Sequence, residues 1–126
     1  MKNENKLDLN PGSGDITFVL DGEEVTLKPT LRACIGISRM DDSPMATVDK
    51  IVRLNFDTIT QVLAFGLGIG PGQKLQEQIY RTGVINLTRH AINFVNVVNN
   101  GGRPVSEKDL YDLKDDEGNQ TAPIQE

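Results

Sequence analysis

The sequence predicts an α+β protein, mostly helical, in which an N-terminal β-hairpin packs on a bundle of about five short helices. Three observations carry that expectation. Residues 15–28, DITFVLDGEEVTLK, alternate apolar and polar side chains on either side of an Asp21-Gly22 pair. After Thr30, apolar residues recur at helical spacing between Ser-Pro, Asn and Gly punctuation. The chain has 126 residues, enough to enclose one core.

Asp-Gly favours a two-residue type I′ turn, because both central residues must adopt positive φ. That turn sets Leu20 opposite Glu23, Phe18 opposite Val25, Ile16 opposite Leu27, Thr17 opposite Thr26 and Asp15 opposite Lys28. One face then carries Ile16, Phe18, Val25 and Leu27. The other carries a Thr–Thr and an Asp–Lys pair, with Val19 and Glu24 between them. A one-residue slip would mix the faces. A lone hairpin is marginal in water, so the apolar face must lie on the helices.

Residues 1–14, MKNENKLDLNPGSG, have no period and are expected to be a flexible arm. Thr30, after Pro29, fits the N-cap of a first helix with Leu31, Cys34 and Ile35 at helical spacing, and Ala33 and Ile37 alongside. Gly36 within it marks close packing. Cys34 lies on the apolar stripe and reads as a small core residue, without a neighbouring base to make it a nucleophile. Ser43 and Pro44 fit the N-cap and first position of a second helix, with Met45, Val48, Ile51 and Val52 as its apolar face up to Leu54. Asn55 or Asp57 caps a third, with Ile59, Val62, Leu63 and Leu67 on one side. The run Gly66-Leu67-Gly68-Ile69-Gly70-Pro71-Gly72 tempts a nucleotide-loop reading. It fails G-x-G-x-x-G, follows a helix, and has Lys74 in the wrong company for a P-loop, so a helix stop and a bend are expected. A short helix over 74–82 places Leu75 and Ile79 inward, with Tyr80 at the edge and Gly83 as its left-handed stop. Asn86 is then expected to cap the longest helix, 87–99, with Leu87, Ala91, Phe94, Val95 and Val98 on one stripe. Ile92 and Val97 widen that stripe. Either the helix is central and touched on two sides, or the surplus is a partner surface. Beyond Pro104, a turn of helix near 106–113 docks through Leu110, Tyr111 and Leu113, and residues 114–126 form an acidic disordered tail. The expected organisation is an arm over 1–14, one domain over 15–113, and that tail.

Net charge is −5 and the pI is near 4.8. Binding to a phosphate backbone rests on clustered Lys and Arg, so no nucleic-acid partner is expected. No apolar run is long enough to span a bilayer, and no leader is visible, so the chain is expected to be soluble, unsecreted and without a membrane partner. The single cysteine fits a reducing compartment. His90 is the single histidine, without the companions of a metal site. The Asp41-Asp42 pair reads as acids before a helix N-terminus. No nucleophile–base pair, H-E-x-x-H or G-x-S-x-G is present. Catalytic, cofactor-binding and metal-ligating residues are therefore all expected to be none, and the protein is expected to bind another protein.

Four stretches carry a resemblance: GDITFVLDGEEVTL running into KPTLRA, then QEQIYRTG before the last helix, and NNGGRP after it. In this order they resemble the phage tail assembly chaperone family that includes the small tail-cluster protein of gene transfer agents. The resemblance covers residues 14–104 and contains no catalytic motif. It departs from the family at Ile37-Ser38-Arg39, where an acidic residue is common, and in lacking an alanine-rich end. It implies a role in tail morphogenesis of a phage, prophage or gene transfer agent, in the bacterial host cytoplasm. There the protein would coat the helical tape-measure protein until tail-tube protein polymerises around it, and would be absent from the mature particle. The alternative implied is a structural tail (tube) component. Candidate protein-binding residues are Val19 on the hairpin and Ile92, Phe94, Val97 and Val98 on the last helix. The free strand edge offers a site for self-association.

Overall fold

The computed structural model describes residues 14–105. Strands β1 (Ile16–Leu20) and β2 (Glu23–Leu27) form an antiparallel hairpin. Five α-helices follow: α1 (Leu31–Ser38), α2 (Pro44–Val52), α3 (Phe56–Leu67), α4 (Gln73–Thr82) and α5 (Thr88–Val98), with a 3-10 turn at Val84–Asn86 before the last. The fold is α+β and mostly helical.

The hairpin has the register its turn dictates: Ile16 faces Leu27, Phe18 faces Val25 and Leu20 faces Glu23. Asp21 and Gly22 sit at φ 51° and 83°, as a type I′ turn requires. On the outer face, the Thr17 and Thr26 hydroxyls are 2.9 Å apart and Lys28 Nζ donates to Asp15 at 3.2 Å. On the inner face, Phe18, Leu20 and Leu27 are buried. The ribbon is seated on α3 at Gly66. The Lys28 N–H donates to the Gly66 carbonyl at 2.9 Å, and a Cβ at Gly66 would stand 2.9 Å from the Leu27 Cβ. Only a residue without a side chain lets strand and helix meet this closely.

Three helix starts are capped as their residues suggest. Thr30, Ser43 and Asn55 side chains accept from the N–H of Ala33, Ala46 and Thr58 at 3.0, 3.2 and 2.9 Å. Asn55, not Asp57, is the cap of α3. The Gly36 contact is also real: a Cβ there would meet the Phe65 ring.

Several expectations are corrected. The inward face of α1 is Ala33 and Ile37, because the close approach at Gly36 turns that side toward α3; Leu31 and Ile35 point outward. In α2 the buried residues are Thr47 and Ile51, whereas Met45, Val52 and Leu54 are exposed. Thr47 can be buried because its hydroxyl donates to Asp41 at 2.9 Å, and Asp41 also accepts from Lys50 at 2.6 Å. Asn86 does not cap α5: its side-chain amide donates back to the Thr82 carbonyl, at the end of α4, at 2.8 Å. Gly83, at φ 97° and ψ 117°, is outside the left-handed helical well and feeds the 3-10 turn instead. Thus α5 starts at Thr88, and at 11 residues it is shorter than α3, with 12. Gly14, placed in the arm, is buried; a Cβ there would meet the Gly102 carbonyl oxygen and Val97 at 2.6 Å. Residues 1–13, Ser106 to Leu113 and the acidic tail lie outside the described residues.

The core is built on α5, which touches α1, α2, α3 and β1. Leu87, Ala91, Phe94 and Val95 are enclosed there, together with Ile59, Leu63, Ile51 and Ile79. His90 stacks on Phe18, ring centroids 4.5 Å apart and 9° from parallel, pinning α5 to the hairpin.

Candidate protein-docking surface

The surplus apolar width of the last helix is structural. Phe94 is wholly enclosed, Val97 and Val98 are buried, and Ile92 is half-buried against the core. The reason is that α5 has neighbours on several sides, so both flanks of its stripe are covered. Phe94 therefore has no exposed face to offer, and Val97 and Val98 offer little. Val19 offers more. It is 60 % exposed on the outer face of the ribbon, where the alternation of the strand puts it.

What the sequence did not disclose is a groove of about 460 Å³ under the hairpin. Leu20 and Val25 form its hairpin wall. Leu67, Ile69 and Leu75 of α4 supply the rest of its large apolar lining. Lys74 and Gln78 bring the polar groups. Gly70 and Gly72 complete the lining, and a Cβ at either would touch nothing, so the lip beside them is open. The glycine run thus has a local job: Gly68 ends α3 at φ 73°, and the next residues bend the chain away to make one side of the groove. Its size and apolar lining are those of a site that grips a side chain or a short apolar segment. A signal for it existed. Ile69 is a lone large apolar residue between two glycines, and it is half exposed.

A polar clamp ties the hairpin turn to α4. Arg81 donates from Nη2 and Nε to Asp21 Oδ2 at 2.9 and 3.1 Å. The Asp21 N–H donates to Thr82 Oγ1 at 2.7 Å, and that hydroxyl donates to the Gln78 carbonyl at 2.8 Å. The Arg81 hydrogen bond holds the Asp21 carboxyl below the usual carboxylate range. Within three residues of this clamp stand Val19, Tyr80 and Ile85, respectively 60, 77 and 67 % exposed. Tyrosine at such exposure adds a rigid apolar body with one polar end, a good contact residue.

No family model, curated protein or solved structure matches this chain. The reading of the site therefore rests on its own geometry. Among the described residues, Lys74 is the one ionisable residue lining the groove, and no nucleophile lines it. Among the described residues, no group of three or more His, Cys, Asp and Glu is placed to hold a metal ion, and no helix is long and apolar enough to cross a membrane. Cys34 is half-buried against the core, and His90 is occupied by its stack on Phe18. The arrangement offers contact area and an anchoring cation. Among the described residues, no acid–base pair lines the groove.

Proposed function

We propose that this protein is a phage tail assembly chaperone, working by binding rather than by chemistry, with the tape-measure protein as its partner. The observation that supports it most is the apolar groove, with Ile69 half exposed in its lining. A long helical partner presents apolar stripes. A groove lined by Leu20, Val25, Leu67 and Ile69 would take one side chain of such a stripe, and Val19, Tyr80 and Ile85 would cover its neighbours. Contacts of this size release easily, as a holder that yields to tail-tube protein must. The resemblance of residues 14–104 supplies the biological setting, including the host cytoplasm as the place of action.

Co-expression with the tape-measure protein tests the proposal directly. The two should co-purify, and tails should fail to form without this chain. Ile69→Lys should weaken the complex by about tenfold, as expected on the order of 1–2 kcal/mol for charging an apolar contact. Ile69 is half exposed, so the fold should survive. Many copies per purified particle, found by mass spectrometry, would favour the structural tail component instead.

A further inference from the structure

We propose that the outer face of α1 is the seat of this chain's own acidic segment, residues 107–117, folded back in cis. This inference does not depend on the chaperone reading. Its first support is the helix face. Leu31 and Ile35, one turn apart, are 75 and 39 % exposed, and Arg32 and Arg39 stand exposed beside them. The helix contains no acidic residue, and among the described residues no carboxylate pairs with either arginine. Asp41, just beyond, is committed to Lys50 and Thr47. Met45 and Val52, by contrast, share α2 with Asp49, and Tyr80 shares α4 with Glu77.

The second support is where the charge of the chain sits. Of 18 acidic residues, seven lie in 106–126, against two of the 13 lysines and arginines. Residues 1–105 thus hold 11 of each and are neutral, so the whole net charge of −5 belongs to the last 21 residues. Within them, EKDLYDLKDDE sets Leu110, Tyr111 and Leu113 among Asp109, Asp112, Asp115, Asp116 and Glu117. That composition complements α1: apolar side chains for Leu31 and Ile35, carboxylates for Arg32 and Arg39. The geometry permits it. The described chain ends at Val105 beside Asn93 and Val97 of α5, and α5 packs on α1. Twelve extended residues reach roughly 40 Å, about three times the radius of gyration of a domain this size. Tethering also keeps the segment at a local concentration in the millimolar range, so weak contacts suffice.

The test uses the full chain with Cys34→Ala and a nitroxide on Gly118→Cys. At low salt, paramagnetic broadening should fall selectively on amides of residues 31–39, and should fade near 1 M salt, where the screening length is about 3 Å. The double variant Arg32→Glu/Arg39→Glu should lower the docked-to-free ratio by about tenfold, the product of two exposed ion pairs worth a few-fold each. Arg53→Glu, a reversal of an exposed arginine at the end of α2, should leave it unchanged. Broadening centred elsewhere, or indifferent to the double reversal, would overturn the assignment. So would broadening passed from spin-labelled copies to isotopically labelled copies lacking the nitroxide, which would make the contact one between molecules.

Discussion

Gly66→Ala tests how the ribbon is attached. In an isolated helix the change would stabilise by roughly 1 kcal/mol, because alanine restricts the unfolded chain. Here the new methyl would stand 2.9 Å from the Leu27 Cβ and 3.0 Å from the Phe94 ring. A Cβ cannot swing aside, so β2 would have to lift from α3, and the 2.9 Å bond from the Lys28 N–H to the Gly66 carbonyl would stretch with it. Overpacking of this kind costs about 1–3 kcal/mol and a weakened hydrogen bond about 1 more. Net of the propensity gain, the variant should lose about 1–3 kcal/mol. Gly36→Ala is the matched control. Its methyl would also clash, but with the outer ring atoms of Phe65, a half-buried side chain that can rotate. It should stay within about 1 kcal/mol of the parent. Urea unfolding followed by far-ultraviolet circular dichroism measures both. A Gly66→Ala protein as stable as its parent would show that strand and helix do not meet at this point.

Phe94→Ala should cost about 3–5 kcal/mol in the same assay, as for any fully enclosed phenylalanine; a small loss would return the residue to the surface. Leu54 lies at φ 63° with its side chain half exposed, in a helix stop where the Asn55 N–H reaches the Lys50 carbonyl at 3.0 Å and the Leu54 N–H the Ile51 carbonyl at 2.9 Å. Glycine suits that place, so Leu54→Gly should stabilise by up to about 1 kcal/mol; a clear loss in thermal unfolding would mean that the side chain contributes more packing than its backbone strain costs. Burial, and secondarily Arg89, lowers the pKa of His90 below 6.5. The unfolded chain therefore takes up the proton first, and stability should be full above pH 6.5 and decline as pH falls from there to the folded value. His90→Phe, which keeps a ring against Phe18, should abolish that decline; a stability profile of unchanged slope would remove His90 as its source.

The hairpin was legible to the residue because its signals are local. Asp21-Gly22 fixes the turn, and the parity of the strands fixes which side chains share a face. The caps at Thr30 and Ser43 were legible for the same reason, and Asn55 as one of two candidates: each is one side chain and one N–H three residues on. Which stripe of a helix faces inward was less legible. Periodicity describes a helix's own residues, whereas α1 and α2 are turned by contacts with other elements, at Gly36 against Phe65 and at Thr47 through Asp41. A threonine at an inward position looks polar until its acceptor is found six residues earlier.

The surplus apolar width of α5 has a related physical cause. Wide apolar stripes arise both from exposed docking faces and from helices at the centre of a core, and α5 is of the second kind. Its Phe94 is enclosed, while apolar residues with weaker sequence signals, such as Ile69 and Tyr80, are left in solvent. Under the proposed function, a site that must release its partner has reason to look this way. Full burial of a large stripe would fix a complex too firmly, and burial inside the fold would keep the partner out. Single apolar residues at a groove lip, set on elements tied by the Asp21–Arg81 clamp, give positioned contact area without a deep commitment of binding energy. Such residues leave no periodic trace, because what groups them is the tertiary closure of the hairpin over α3 and α4.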